Sequence, residues 1–168
     1  ITEIAPYMFR DCESLREIEI PNTVSVIGTN AFLNCKNLTS IAIPSSVTAI
    51  DGSAFQSCKA LRTVTLSEGL SRIEQGAFLD CSSLDSIVIP KTVTFLGAYA
   101  FRNCTALRTV EIQSGMVTFD NYYGSFAGCT SLQSVKLAEG ITEIAPDMFQ
   151  DCMALRKISI PSSVYIIG

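Results

Sequence analysis

The sequence predicts an α/β repeat solenoid, mainly β, in which short coils stack around one continuous core. Two observations predict it. The first is a pattern, Phe-x-x-Cys-x-x-Leu-x-x-Ile-x-Ile-Pro-x-x-Val-x-x-Ile-Gly, that recurs seven times and contains every cysteine of the chain. The second is its phase. The pairs Phe9/Cys12, Phe32/Cys35, Phe55/Cys58, Phe78/Cys81, Phe101/Cys104, Phe126/Cys129 and Phe149/Cys152 follow at 23-residue intervals, with one 25-residue step between Cys104 and Cys129. A fixed period of roughly 20–29 residues enclosing Leu-x-x-Ile-x-Ile marks stacked coils, none of which can bury its apolar face alone. Most of these residues are expected to pack rather than to do chemistry.

Each coil opens with a strand. Leu15, Ile18 and Ile20 recur as Leu38/Ile41/Ile43, Leu61/Val64/Leu66, Leu84/Ile87/Ile89, Leu107/Val110/Ile112, Leu132/Val135/Leu137 and Leu155/Ile158/Ile160. The last two members of each trio alternate with polar residues, the period of a strand buried on one face. Stacking should pair these segments into a parallel sheet with strands about 4.8 Å apart. A bend then ends the strand, by Pro21, Pro44, Pro90 and Pro161 in four coils and by Gly69, Gly115 and Gly140 in the other three. Proline lacks the N–H that would extend a ladder, and glycine offers a positive φ.

A second apolar pair follows: Val24/Ile27, Val47/Ile50, Leu70/Ile73, Val93/Leu96, Met116/Phe119, Ile141/Ile144 and Val164/Ile167. Hydroxyls between its members (Ser25, Thr48, Ser71, Thr94, Thr142) suit a short strand facing outwards. The coil closes on Ala-Phe, which predicts one helical or 3-10 turn. Asp, Asn or Ser precedes most of the cysteines, a residue type whose side chain bonds nearby backbone N–H groups and holds a corner.

Composition narrows the function. Apolar residues make up 48% of 168 and the net charge is −4, with Lys and Arg scattered singly. Nucleic acid is therefore not an expected partner, and no apolar run approaches the ~20 residues of a membrane span. Histidine and tryptophan are absent. Without histidine there is no Ser-His-Asp or Cys-His nucleophile and no His-bearing zinc site, so no enzyme activity, metal or cofactor is expected. Residues 1–168 read as a single solenoid that begins and stops inside a repeat, which suggests a piece of a longer protein.

The repeated Ala-Phe-x-x-Cys-x-x-Leu-x-x-Ile-x-Ile-Pro-x-x-Val-x-x-Ile-Gly resembles the BspA-like, or Treponema-type, leucine-rich repeat, over the whole chain. The resemblance implies a right-handed leucine-rich-repeat horseshoe of 23-residue coils, with a parallel sheet on one side and short helical or 3-10 turns. It also implies a cell-surface or secreted setting and a role in adhesion to host or neighbouring-cell proteins. The alternative is a rigid spacer or targeting arm for an enzyme or anchor elsewhere in the parent protein. The motif residues are structural, so the resemblance assigns no site.

The remaining candidates come from the residues. The cysteines read as a reduced ladder in the core, because stacked side chains point the same way with Cβ atoms near 4.8 Å rather than the ~3.8 Å of a disulfide. The open face of the sheet carries a small hydroxyl-rich column that includes Thr63, Ser86, Thr109 and Ser134, a candidate protein-binding surface. A second candidate lies at the long coil. Tyr122 and Tyr99 each follow a cysteine by 18 residues, so they are expected to stack, with Phe95 and Tyr123 nearby. Insertions into repeats map to surface loops that often bind. Finally, Ile1–Cys12 and Ile141–Cys152 agree at ten of twelve positions, which suggests a duplicated block of coils. Ile1, Ile4, Ile160, Val164 and Ile167 stand at the ends without polar caps, so a frayed end coil or end-to-end self-association is expected.

Overall fold

A computed structural model describes residues 1–115, 117–120 and 123–168. From β2 onwards its strands alternate between a two-residue and a longer type. In chain order they are β1 (Glu3–Ile4), β2 (Val26–Ile27), β3 (Ser40–Ile43), β4 (Ala49–Ile50), β5 (Thr63–Leu66), β6 (Arg72–Ile73) and β7 (Ser86–Ile89). There follow β8 (Phe95–Leu96), β9 (Thr109–Ile112), β10 (Thr118–Phe119), β11 (Ser134–Leu137), β12 (Glu143–Ile144), β13 (Lys157–Ser159) and β14 (Ile166–Ile167).

Every pairing is parallel and joins equivalent residues of adjacent coils, as Ser40 with Thr63 or Ile27 with Ile50. The long strands form a four-stranded sheet, β13-β11-β9-β7, and a separate pair, β3-β5. The short strands form a six-stranded sheet, β1-β2-β4-β6-β8-β10, and the pair β12-β14. The chain is thus a parallel β-solenoid of about seven coils.

A single apolar cluster runs the length of the stack between these two ladders. Phe32, Phe55, Phe78, Phe101 and Phe126 are its largest fully buried side chains. Each stacks on the next, with ring centroids 5.0 Å apart for Phe32–Phe55, 5.2 Å for Phe55–Phe78 and 5.1 Å for Phe78–Phe101. Beside that column, every thiol from Cys35 onwards donates to the phenylalanine carbonyl one coil back. Cys35 reaches Phe9 O at 3.1 Å, Cys81 reaches Phe55 O at 3.1 Å and Cys129 reaches Phe101 O at 3.2 Å. All seven cysteines are free. Hydroxyls tie the short-strand side: Ser25 donates to Thr2 O at 3.0 Å, Ser71 to Thr48 O at 2.9 Å and Thr118 to Thr94 O at 2.9 Å.

The structure departs from the sequence expectations in five places. Cys12 is exposed, because the first coil has no earlier phenylalanine carbonyl for its thiol and nothing packed above it. The expected strand at Glu17–Ile20 does not form, since that coil is covered on one side only. The long-strand sheet is divided between β5 and β7 rather than continuous. No helical turn closes the coils among the described residues.

The reason for that fourth departure lies in the backbone. Two residues of most corners are left-handed, as Asn30 (φ 57) with Asn34 (φ 61), Ser53 (φ 56) with Ser57 (φ 59), and Tyr99 (φ 57) with Asn103 (φ 58). A left-handed residue cannot propagate a right-handed helix, so the corner is a turn closed by Leu33 N–H to Asn30 O at 3.2 Å and its equivalents. Asp and Asn before the cysteines are therefore chosen for backbone conformation. Their side chains bond across coils rather than along the chain, Asn34 to Asp11 at 2.8 Å and Asn103 to Asp80 at 2.9 Å.

The fifth departure concerns the bends. Gly69 (φ 123) and Gly140 (φ 99) have the expected positive φ, whereas Gly115 is needed for a close approach, since a Cβ there would strike Glu139 O. In the same long coil Val117 is buried in the core. Met116, which the repeat pattern assigns to that position, lies outside the described residues.

Candidate functional site

The long strands hold one row of side chains in the core and turn the other outwards, as the alternation exposed-buried-exposed-buried along β3 and β7 shows. Ser86, Thr109 and Ser134 are thereby aligned by register on β7, β9 and β11, with Lys157 continuing the row on β13. They line an open cavity of about 340 Å³ together with Val88, Glu111, Lys136 and Ser159. Lys136 donates to Glu111 at 2.8 Å across adjacent strands, and that hydrogen bond holds the Glu111 carboxyl below its usual range. Thr63 lies outside this cavity, on β5 in the separate pair.

One contrast distinguishes this face from the rest of the coil. On the short-strand side, the hydroxyls of Ser25, Thr48, Ser71, Thr94 and Thr118 are spent on carbonyls of the preceding coil. Those of Thr63, Ser86, Thr109 and Ser134 have no protein partner among the described residues. They remain available to a ligand.

The second candidate lies at the corner after β8. Tyr99 stacks on Tyr123 with centroids 4.7 Å apart and planes 20° apart, and the Arg102 guanidinium lies 4.9 Å from the Tyr99 ring centre. Burial pushes the Tyr99 phenol up, as does Tyr123 beside it, while Arg102 pulls it back. Tyr123 is 51% exposed, so the stack ends at solvent. Counting forward 23 residues from Tyr99 reaches Tyr122, and counting back from Cys129 reaches Gly124. The two extra residues are absorbed between those counts, which is why Tyr123 meets Tyr99. Tyr122 lies outside the described residues. Phe95 is half-buried on β8, and its ring is covered by the Arg72 guanidinium at 4.4 Å, which also bonds Glu74 at 2.7 Å. Sequence reasoning passed over both arginines, although the spacing Tyr-x-x-Arg, shared by Tyr7/Arg10 and Tyr99/Arg102, is visible.

Comparison with known proteins decides the family. The BspA type leucine-rich repeat region, in six copies, matches residues 2–123 and 122–168. The chain belongs to the BspA-type leucine-rich repeat family. A leucine-rich repeat protein of Treponema pallidum is similar at 31% identity, over 86% of this chain and 67% of that one, with a TM-score of 0.76. The pneumococcal vaccine antigen PcpA shares the fold at 23% identity and a TM-score of 0.66, over 98% of this chain and 49% of its own. A leucine-rich repeat protein of Eubacterium ventriosum does so at 22% identity and a TM-score of 0.65, over 94% of this chain and 57% of its own. This BspA-type chain thus spans about half the length of those two relatives. No curated protein matches it. Among its described residues no helix is long and apolar enough to cross a membrane.

Proposed function

We propose that this chain is a non-catalytic protein-binding module of a cell-surface or secreted protein, acting in adhesion to host or neighbouring-cell proteins. The BspA-type solenoid is a scaffold for protein interaction, and its repeated residues are consumed by packing. The observation that carries the reading is the Tyr99–Tyr123 stack, part-exposed and flanked by Arg102. Tyrosine and arginine are enriched among the residues that dominate protein interfaces, and tyrosine supplies large contact area at low entropic cost. Phe95 under Arg72 extends the aromatic surface, and the open face bearing Thr63, Ser86, Thr109 and Ser134 is the second contact region. The surface setting is drawn from the family resemblance.

The test measures binding of purified host matrix and bacterial surface proteins to the wild-type chain and to Tyr99→Ala/Tyr123→Ala. Loss of a hot-spot pair should weaken an identified partner by at least ~30-fold. Equal binding by a folded variant removes the aromatic site. Turnover of any substrate by the purified chain overturns the non-enzymatic reading.

A further inference from the structure

Lysines and arginines that stand singly along the chain are gathered by the stack onto one strip. The five residues after each cysteine, which lead into the long strands, hold seven of the twelve cations and three of the sixteen acids. The strip therefore carries a net charge of +4 in a chain whose total is −4. One column within it reads Arg16, Thr39, Arg62, Asp85, Arg108, Gln133 and Arg156, an arginine on every second coil. Backbone bonds fix its steps. Arg62 N–H donates to Thr39 O at 2.9 Å, Asp85 to Arg62 O at 3.3 Å and Arg108 to Asp85 O at 2.8 Å. The long coil does not interrupt the column, since Gln133 N–H donates to Arg108 O at 2.8 Å and Arg156 to Gln133 O at 3.0 Å. Two rungs of about 4.8 Å separate successive arginines, so their charges repeat at about 9.6 Å.

The chain itself does not consume these charges. All four arginines are exposed. Arg16, Arg62 and Arg156 have no hydrogen-bond or ion-pair partner among the described residues. Arg108 meets Asp85 at 3.3 Å, but those side chains are 65% and 69% exposed, and a pair so open to water contributes little. Of the other two acids on the strip, Glu13 is held by Lys36 at 2.6 Å and Glu17 lies beside Arg16.

A guanidinium takes a carboxylate through two parallel N–H bonds, so a column of them suits a ligand with carboxylates at the same repeat. A polyproline II chain has three residues per turn and rises ~3.1 Å per residue, which places every third side chain on one side at about 9.3 Å. A β-strand offers steps of about 6.7 or 13 Å and fits less well. Polyproline II also leaves its own carbonyls without internal hydrogen bonds. The unspent hydroxyls of Thr63, Ser86, Thr109 and Ser134 directly follow the column in sequence and are placed to donate to them. We propose, on the protein-binding reading of the open face, that the arginine column seats an extended acidic polypeptide with a carboxylate at every third residue.

The test titrates a fluorescent peptide of four Glu-Pro-Pro repeats with the wild-type chain at low salt. It should bind at least ~10-fold more tightly than a peptide of the same composition with its glutamates contiguous, and should weaken at least ~10-fold in Arg62→Gln/Arg108→Gln. Arg10→Gln/Lys91→Gln, which removes the same charge away from the strip, should bind as the wild type does. Equal binding of the two peptides overturns the proposal, as does an equal loss in the two variants. So does arginine-dependent binding of heparin without binding of the peptide, since a polysaccharide would then be the occupant. If the peptide fails to bind while Tyr99→Ala/Tyr123→Ala still loses an identified protein partner, the column is wrong and the protein-binding reading stands.

Discussion

At the scale of residues, the cysteines illustrate chemistry-bearing side chains that serve packing. Burial pushes the thiols of Cys81 and Cys104 up, Cys129 to about 12 and Cys152 to about 11. In the native chain Cys12 alone should react with a maleimide at pH 8, and all seven cysteines should react in denaturant. Labelling of two or more thiols without denaturant would contradict the burial. The same shifts predict an alkaline limit. The folded thiols of Cys129 and Cys152 have raised pKa values, so their contribution is fully present below the unfolded value of 9.0 and is lost as pH rises towards 11 and 12. The denaturant midpoint should hold to about pH 8.5 and fall steadily above it; a midpoint unchanged at pH 10.5 would contradict that. The cysteine and phenylalanine columns were legible because a side chain repeated at a fixed phase must meet its own kind. The left-handed corners were not, because Asn and Asp signal both side-chain capping and positive φ, and only the backbone separates the two.

At the scale of elements, the corners are tight in some coils and loose in others. The strands were legible from alternation, but Glu17–Ile20 has the same pattern and stays unpaired, since alternation reports a preferred face and not the presence of a neighbour. Glycines show the same dependence on the adjacent coil. A Cβ on Gly97 would lie 2.5 Å from Gln75 N, whereas one on Gly52 meets nothing nearer than Gln75 O at 3.5 Å, and neither has a positive φ. Gly97→Ala should therefore destabilise by about 1–3 kcal/mol through overpacking. Gly52→Ala should be neutral or stabilise by ~0.4–1 kcal/mol, by restricting the unfolded chain. Chemical denaturation of both variants checks the pair; equal effects would show that inter-coil spacing does not control these positions.

At the scale of the whole molecule, a stack in which each coil touches only its neighbours makes the cost of a substitution depend on its place in the row. The order of coils was legible from the 23-residue phase alone. The divisions between β5 and β7 and between β10 and β12 were not, because they depend on how each coil settles on the next. The second falls where the long coil absorbs its two extra residues. The phenylalanine column offers the sharpest measure of this row-like behaviour. Phe78 is fully buried between Phe55 at 5.2 Å and Phe101 at 5.1 Å, while Phe149 is half-buried with Phe126 alone at 5.9 Å. Phe78→Ala should cost about 3–5 kcal/mol and lower the unfolding midpoint of every probe together, because the cavity lies on the path between the two halves of the stack. Phe149→Ala should cost less than half as much. It should speed amide exchange in residues 145–167 while leaving residues 40–112 protected, since the last coil can fray without disturbing the joints behind it. Equal costs at the two positions, or exchange that rises uniformly in Phe149→Ala, would mean that the solenoid unfolds as one indivisible unit rather than coil by coil.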